Sequence, residues 1–262
     1  MKIVVCIKQV PNTTEVKFDP KTGTLIREGL PTIINPEDKN ALEEAVSIAS
    51  RVGGQVTALS MGPAQADYAL RETLAMGATE AILLSDRAFA GADTWATSYA
   101  LAKAVEKIGE YSLIFCGRQA IDGDTAQVGP ELAEHLDIPH VTYVRRIVSL
   151  DDKCVVVERA LEDGYEVVEC QLPALLTTLK ELNVPRFPSA SGIVTAFDEK
   201  KVQVWTAEAV GADPAKIGLK GSPTQVKRTF TPPVKGTGKI LTGTHKDAVQ
   251  QLVQELAAKQ LL

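Results

Sequence analysis

Four short runs in the first half of the chain are apolar at successive positions rather than at alternate ones. They are Lys2–Ile7 (KIVVCI), Gln55–Ser60 (QVTALS), Ala81–Ser85 (AILLS) and Leu113–Cys116 (LIFC). Such runs suit strands covered on both faces, which is the situation in a parallel sheet. The segments between them have helical periodicity. In NPEDKNALEEAVSIASRVGG, Ala41, Leu42, Ala45, Val46, Ala49 and Val52 fall on one face. Asn35 is placed to cap that helix, Pro36 suits its first position, Glu37 and Asp38 favour its positive end, and Gly53-Gly54 stop it. Further helices are expected at Gln65–Met76, Asp93–Ile108 and Val128–Leu136. The rhythm predicts an α/β fold: a Rossmann-like parallel sheet with helices on both faces and right-handed crossovers.

A long connection separates the first strand from the first helix. Within it VKFDPKTGTLI reads as a hairpin over residues 16–27, turning at Lys21-Thr22-Gly23. After Pro139 the pattern changes to β-rich segments joined by DD and EDG turns, so added antiparallel strands are expected over residues 140–179. Beyond Leu182 the chain reads as extended, broken by Pro and Gly, until an amphipathic helix at His245–Leu261 with Val249, Leu252, Val253, Leu256 and Ala257 on one face. This divides the chain into a Rossmann-like domain over 1–220 and an extended arm with a terminal helix over 221–262. An amphipathic helix at the end of an arm suits a partner subunit better than its own domain.

A net charge of -5 and 5% aromatic residues disfavour nucleic acid and anionic membrane surfaces as partners. No apolar run is long enough for a bilayer, and MKIVVCIKQVPN reads as a strand rather than a signal peptide, so a cytoplasmic location is expected. Cys6, Cys116, Cys154 and Cys170 lack metal-ligand spacing, and His135, His140 and His245 are dispersed. His135 and Glu134 read as a solvated helix face, and Arg145-Arg146 as a strand edge. No acid–base or nucleophile set emerges, so any redox chemistry must be carried by a bound cofactor.

Ligands of open parallel sheets bind beyond the carboxyl ends of the strands. That rule gathers Lys8-Gln9-Val10, Asn35–Asp38, Met61-Gly62-Pro63 and the stretch GRQAIDGDTAQV from Gly117 to Val128. Gly117 and Gly123 permit close backbone approach, Thr125 and Gln127 offer hydrogen bonds, and the N–H groups at the next helix start suit a phosphate. Asp122 and Asp124 would repel one, so they should cap backbone groups or meet a ribose. Pro130 requires that the regular helix start near Gln127 or have an irregular first turn. A solvated turn capped by Asp124 or Thr125 accounts for the same residues equally well. Neither GxGxxG nor GxxxxGK[ST] is present, which disfavours a standard dinucleotide fold or P-loop NTPase.

The segment VERALEDGYEVVECQLPALLTT, Val157 to Thr178, resembles the signature of electron transfer flavoprotein β subunits. CIKQVP, INPEDKNALEEA, SMGPAQA, LAMGA and GRQAIDGDTAQVGP extend the resemblance over nearly the whole chain. It implies a Rossmann-like subunit paired with an FAD-bearing α subunit. The implied nucleotide contacts are Cys6, Lys8, Asn35, Pro36, Asp38 and Met61, with Gly117, Arg118, Gln119, Ala120, Asp122, Gly123, Asp124, Thr125, Ala126, Gln127 and Val128. Simple members hold a structural AMP there. KQVP, DPKTGTL and GDTAQVGP are more similar to a branch from anaerobic bacteria, which implies FAD in that pocket. In that branch NADH gives a hydride to the FAD. One electron then goes to ferredoxin or flavodoxin, and the other passes through the α-subunit FAD to a dehydrogenase. ELNVPRFPS matches the family's docking loop for acyl-CoA dehydrogenase-type partners at Leu182, Asn183, Pro185 and Arg186, with Phe187 replacing Tyr and Leu182 expected as an exposed anchor. The reading from another class is a stand-alone adenine-nucleotide-binding module.

Overall fold

The computed structural model describes residues 1–12, 17–18, 25–26, 31–227, 236 and 238–262. Met1–Lys227 forms one compact unit and Arg228–Leu262 a second.

In the first unit, β1 (Lys2–Cys6) leads through β2 (Gln9–Pro11), β3 (Lys17–Phe18), β4 (Leu25–Ile26) and β5 (Thr32–Ile34) to α1 (Pro36–Val52). Then follow β6 (Gln55–Met61), α2 (Asp67–Met76), β7 (Glu80–Leu84), α3 (Thr94–Ile108), β8 (Leu113–Gly117) and α4 (Val128–His135). β9 (His140–Leu150), β10 (Cys154–Leu161) and β11 (Gly164–Gln171) precede β12 (Ala174–Thr178), α5 (Ala190–Val194), β13 (Gln203–Trp205) and α6 (Gly218–Gly221). Nine strands form one sheet in the order β11-β10-β9-β12-β8-β1-β6-β7-β13. Its pairs are parallel except β9–β10 and β10–β11. β2 pairs with β5, and β3 with β4, both antiparallel. The expected turn of the second pair, residues 21–23, lies outside the described residues.

The apolar runs are explained by the two faces of this sheet. Ile3 and Val5 of β1, with Phe115 and Leu176, pack with Leu42, Ala45, Leu70 and Leu74 of α1 and α2. Val4 and Cys6, with Ile114 and Leu175, pack with Leu101, Val105 and Leu132 of α3 and α4. Burying each of the larger side chains contributes about 1.5–3 kcal/mol, so strands with both faces covered are held from two sides. All four cysteines are free thiols. Among the described residues, no helix is long and apolar enough to cross a membrane.

Three expectations are corrected here. The chain after Leu182 is not simply extended, for it forms α5, a helical turn at Thr195–Glu199 and β13. Tertiary contacts cause this: the Arg71 guanidinium donates to Ala196 O at 2.8 Å, and Lys200 Nζ to Ala78 O at 2.9 Å. The strand carrying Arg145 and Arg146 is not an edge. β9 lies between β10 and β12, and both arginines pair with the buried Glu158, at 3.6 and 3.2 Å. Nor is His135 solvated, because its ring packs 4.2 Å from Trp95 and burial lowers its pKa.

The second unit contains α7 (His245–Ala258). Thr244 accepts from the Asp247 N–H and the Asp247 carboxylate accepts from the Thr244 N–H, which closes a capping box. Val249, Leu252 and Val253 on its apolar face are exposed.

Candidate functional site

The helices leave β1 and β8 toward opposite faces of the sheet, α1 with the first cluster and α4 with the second. The neighbouring carboxyl ends of β1 and β8 are therefore a topological switch point, where an open α/β sheet has its natural crevice.

Asp38, in the first turn of α1, ties the crevice together. Its carboxylate accepts from the N–H of Lys8 after β1 (2.7 Å), from the N–H of Gly117 at the end of β8 (3.1 Å), and from Asn35 Nδ2 (2.9 Å). Asn35 does not cap α1 through its side chain. Fully buried, it donates to Gln119 O at 2.9 Å and accepts from the Ile121 N–H at 3.1 Å, so it holds the loop after β8. Glu37 accepts from the Gln119 N–H at 3.1 Å and pairs with Arg118 at 3.3 Å. Gly117 is required by this crowding. A Cβ there would lie 2.3 Å from Asp38 Oδ1 and 2.9 Å from the Asp38 backbone nitrogen.

Burial pushes the Asp38 carboxyl from its ordinary 3.8 up to about 7, against the lowering effect of its Asn35, Lys8 and Gly117 donors. The folded chain thus binds this proton more tightly than the unfolded chain. The Asp38 contribution to stability is full below about pH 4 and is lost as pH rises through about 7. Urea unfolding between pH 5 and 8 should show this falling limb in the wild type and lack it in Asp38→Asn. Identical slopes in the two proteins would show that Asp38 does not titrate in this window.

The loop from Ala120 to Val128 has an unusual backbone. Asp124 and Ala126 have left-handed φ values of 54° and 55°, and Gln127 is right-handed at φ −104°. A left-handed residue followed by a right-handed one turns successive N–H groups toward a common point, an anion-binding nest. Among the described residues, the N–H groups of Thr125, Ala126, Gln127 and Val128 make no hydrogen bond. Gly123 faces open space, since a Cβ there would meet only Lys8 Nζ, at 3.9 Å. Asp122 holds Lys8 Nζ at 2.6 Å, and Asp124 accepts from Gln119 Nε2, so neither carboxylate is left to confront an anion alone. Pro130 causes no break because α4 begins only at Val128.

A model of the electron transfer flavoprotein domain matches residues 22–210. An electron transfer flavoprotein subunit beta of Thermoanaerobacterium thermosaccharolyticum is 61% identical over 262 residues, 100% of both chains. The chain belongs to the electron transfer flavoprotein β subunits. A caffeyl-CoA reductase–Etf complex subunit, CarD, of Acetobacterium woodii is 54% identical over 264 residues, again covering 100% of both chains. An acryloyl-CoA reductase electron transfer subunit gamma of Anaerotignum propionicum is 47% identical over 270 residues, with the same full coverage.

The fold brings the sequence-named positions of this family to one end of the sheet. Lys8, Asn35, Asp38 and the loop that starts at Gly117 are joined by the bonds described above, and Pro36 opens α1 between Asn35 and Glu37. Met61 ends β6 and lines a small cavity with Lys8 and Gln9, while Cys6 is buried beneath. Contact with the Cys6 thiol and burial push the Cys116 thiol well above its ordinary value. Ser60, which carries no motif, lines the same cavity with its hydroxyl buried and without a partner among the described residues.

The 182–187 loop differs from expectation. Leu182 is half-buried against the core and is not an exposed anchor. Asn183 Nδ2 donates to Asn40 O and to Glu44, both at 3.1 Å, and Arg186 makes a bidentate pair with Glu43 at 2.7 and 2.8 Å. These side chains fix the loop to α1 and leave Val184 (90%) and Phe187 (93%) exposed.

Proposed function

We propose that this chain is the FAD-holding β subunit of a bifurcating, NADH-dependent electron transfer flavoprotein, paired with an FAD-bearing α subunit. The observation that carries the reading is the nest of four unengaged N–H groups beside an open glycine at the switch point. It suits a nucleotide phosphate, and Lys8 beside it offsets the charge of Asp122. A bound FAD would supply the chemistry, hydride acceptance from NADH and one-electron transfer to ferredoxin or flavodoxin and to the α-subunit FAD. The chain's own work is to hold and orient. Thr125 to Val128 offer donors to phosphate, Asn35, Glu37 and Asp38 fix the loop that presents them, and Gly123 leaves room for close approach.

Two relatives are named as parts of CoA-ester reductase complexes, which favours an acyl-CoA dehydrogenase-type enzyme as terminal partner. Val184 and Phe187, held out by the pinned loop, are the apolar groups we assign to that docking. The other reading is a non-bifurcating subunit with a structural AMP, since a phosphate nest serves either nucleotide.

The deciding measurement is the FAD and AMP content of the purified two-chain complex, with NADH reduction followed in the visible spectrum. Two FADs per heterodimer and flavin bleaching by NADH are expected. One FAD with one AMP, and no bleaching, would leave an ordinary electron transfer flavoprotein.

A further inference from the structure

Tyr143 interrupts the alternation of β9. Val141 and Val144 are both buried in the same core cluster, although strand geometry allows only one residue between two that share a face. The pairing with β12 has the same irregularity: Leu176 faces Val141 and Thr178 faces Val144, two steps on one strand against three on the other. The extra residue is accommodated at Tyr143, whose φ is 59°. A left-handed backbone is rare for a bulky residue, and bulges of this kind re-aim side chains beside functional sites.

The re-aimed ring is 38% exposed and stands 5.8 Å from the guanidinium carbon of Arg118. Its backbone is fixed, because the Tyr143 N–H donates to Thr177 Oγ1 at 3.2 Å. Thr178 pairs with Val144 on one side and Gly117 on the other, which sets Tyr143 at the height of Gly117 and two strands away. That separation is about 10 Å. Arg118, the second residue of the nucleotide loop, is itself held by Glu37. An aromatic ring on a fixed backbone and a guanidinium held by Glu37 thus line the edge of the crevice.

We propose that Tyr143 and Arg118 form the surface against which the isoalloxazine ring of FAD lies, making Tyr143 the residue that favours FAD over AMP. This rests on the reading that the site holds FAD. AMP has the same adenylate and phosphate but no second ring system, so only FAD gains from this wall.

The test titrates FAD and AMP separately into the two-chain complex stripped of its β-site nucleotide. Tyr143→Leu should weaken FAD about tenfold and leave AMP within about twofold. Tyr143→Phe, which keeps the ring, should behave as wild type. Loss of the ring should also raise the fluorescence of the bound flavin, a signal that a merely structural role would not move. Tyr143→Gly suits the left-handed backbone and removes the ring without burdening the fold, so it should match Tyr143→Leu. Equal weakening of AMP and FAD, or unchanged FAD affinity and fluorescence, would overturn the assignment. A wild-type complex that takes AMP but no second FAD overturns the parent reading and this one with it, and is recognised before any variant is made.

Discussion

Gly117→Ala is expected to lower the stability of the β subunit by about 3 kcal/mol and to empty its nucleotide site. The added methyl would sit 2.3 Å from Asp38 Oδ1, 2.9 Å from the Asp38 backbone nitrogen and 2.9 Å from the Glu37 carbonyl carbon. Two of these neighbours are backbone atoms of the first turn of α1, so no side-chain rotation relieves the clash. Either β8 or α1 must move, and the Gly117 N–H bond to Asp38 stretches or breaks with it. Thermal unfolding of the complex should fall by roughly 6–12 °C at this chain length. Gly123→Ala provides the contrast, since its methyl meets nothing nearer than Lys8 Nζ. It should change stability by less than about 0.5 kcal/mol while weakening the nucleotide, because the space it fills is the ligand's. If Gly117→Ala melts with the wild type, the crevice is not built on the contact between α1 and β8.

Removing residues 228–262 is expected to abolish association with the α subunit while Met1–Lys227 still folds. The first unit contains the sheet and both core clusters, and none of their buried residues lies beyond Lys227. α7 has fourteen residues, a length at which an isolated helix is marginal in water, and it still exposes Val249, Leu252 and Val253 along one stripe. A capping box fixes its start, and burial of the stripe against a partner would stabilise the remainder. The truncated chain should unfold within a few degrees of the full one and fail to co-purify with α. Leu252→Glu, which puts a charge into the stripe, should weaken the pair by one to two orders of magnitude. Normal assembly of the truncated chain would remove the arm from the interface.

Local patterns gave away the elements but misread several individual roles. The runs KIVVCI and LIFC were legible as strands because both faces of each are covered by helices, leaving no alternation. Gly53 ends α1 in the left-handed conformation that its position after a periodic helix suggests. Asn35, by contrast, looks like an N-cap from its neighbours. Its side chain is instead used on Gln119 and Ile121, more than eighty positions away, and no local pattern could report that. Leu182 was misread for a similar reason: an apolar residue in a Pro-rich loop looks exposed until α1 is known to lie beneath it. The family resemblance favours a nucleotide site at the loop from Gly117 to Val128, which residue types alone left balanced between a site and a capped turn.

The sequence by itself determined the α/β class, the alternation of β1, β6, β7 and β8 with helices, and membership of a flavoprotein family. Each depends on local periodicity or on motifs read along the chain. Only the tertiary structure decided that β9 is internal, that Asp38 joins three loops, that Ala126 is left-handed and Gln127 right-handed, and that Tyr143 is swung toward Arg118. Those features come from pairings between residues far apart in sequence, where burial and hydrogen-bond satisfaction set the local conformation.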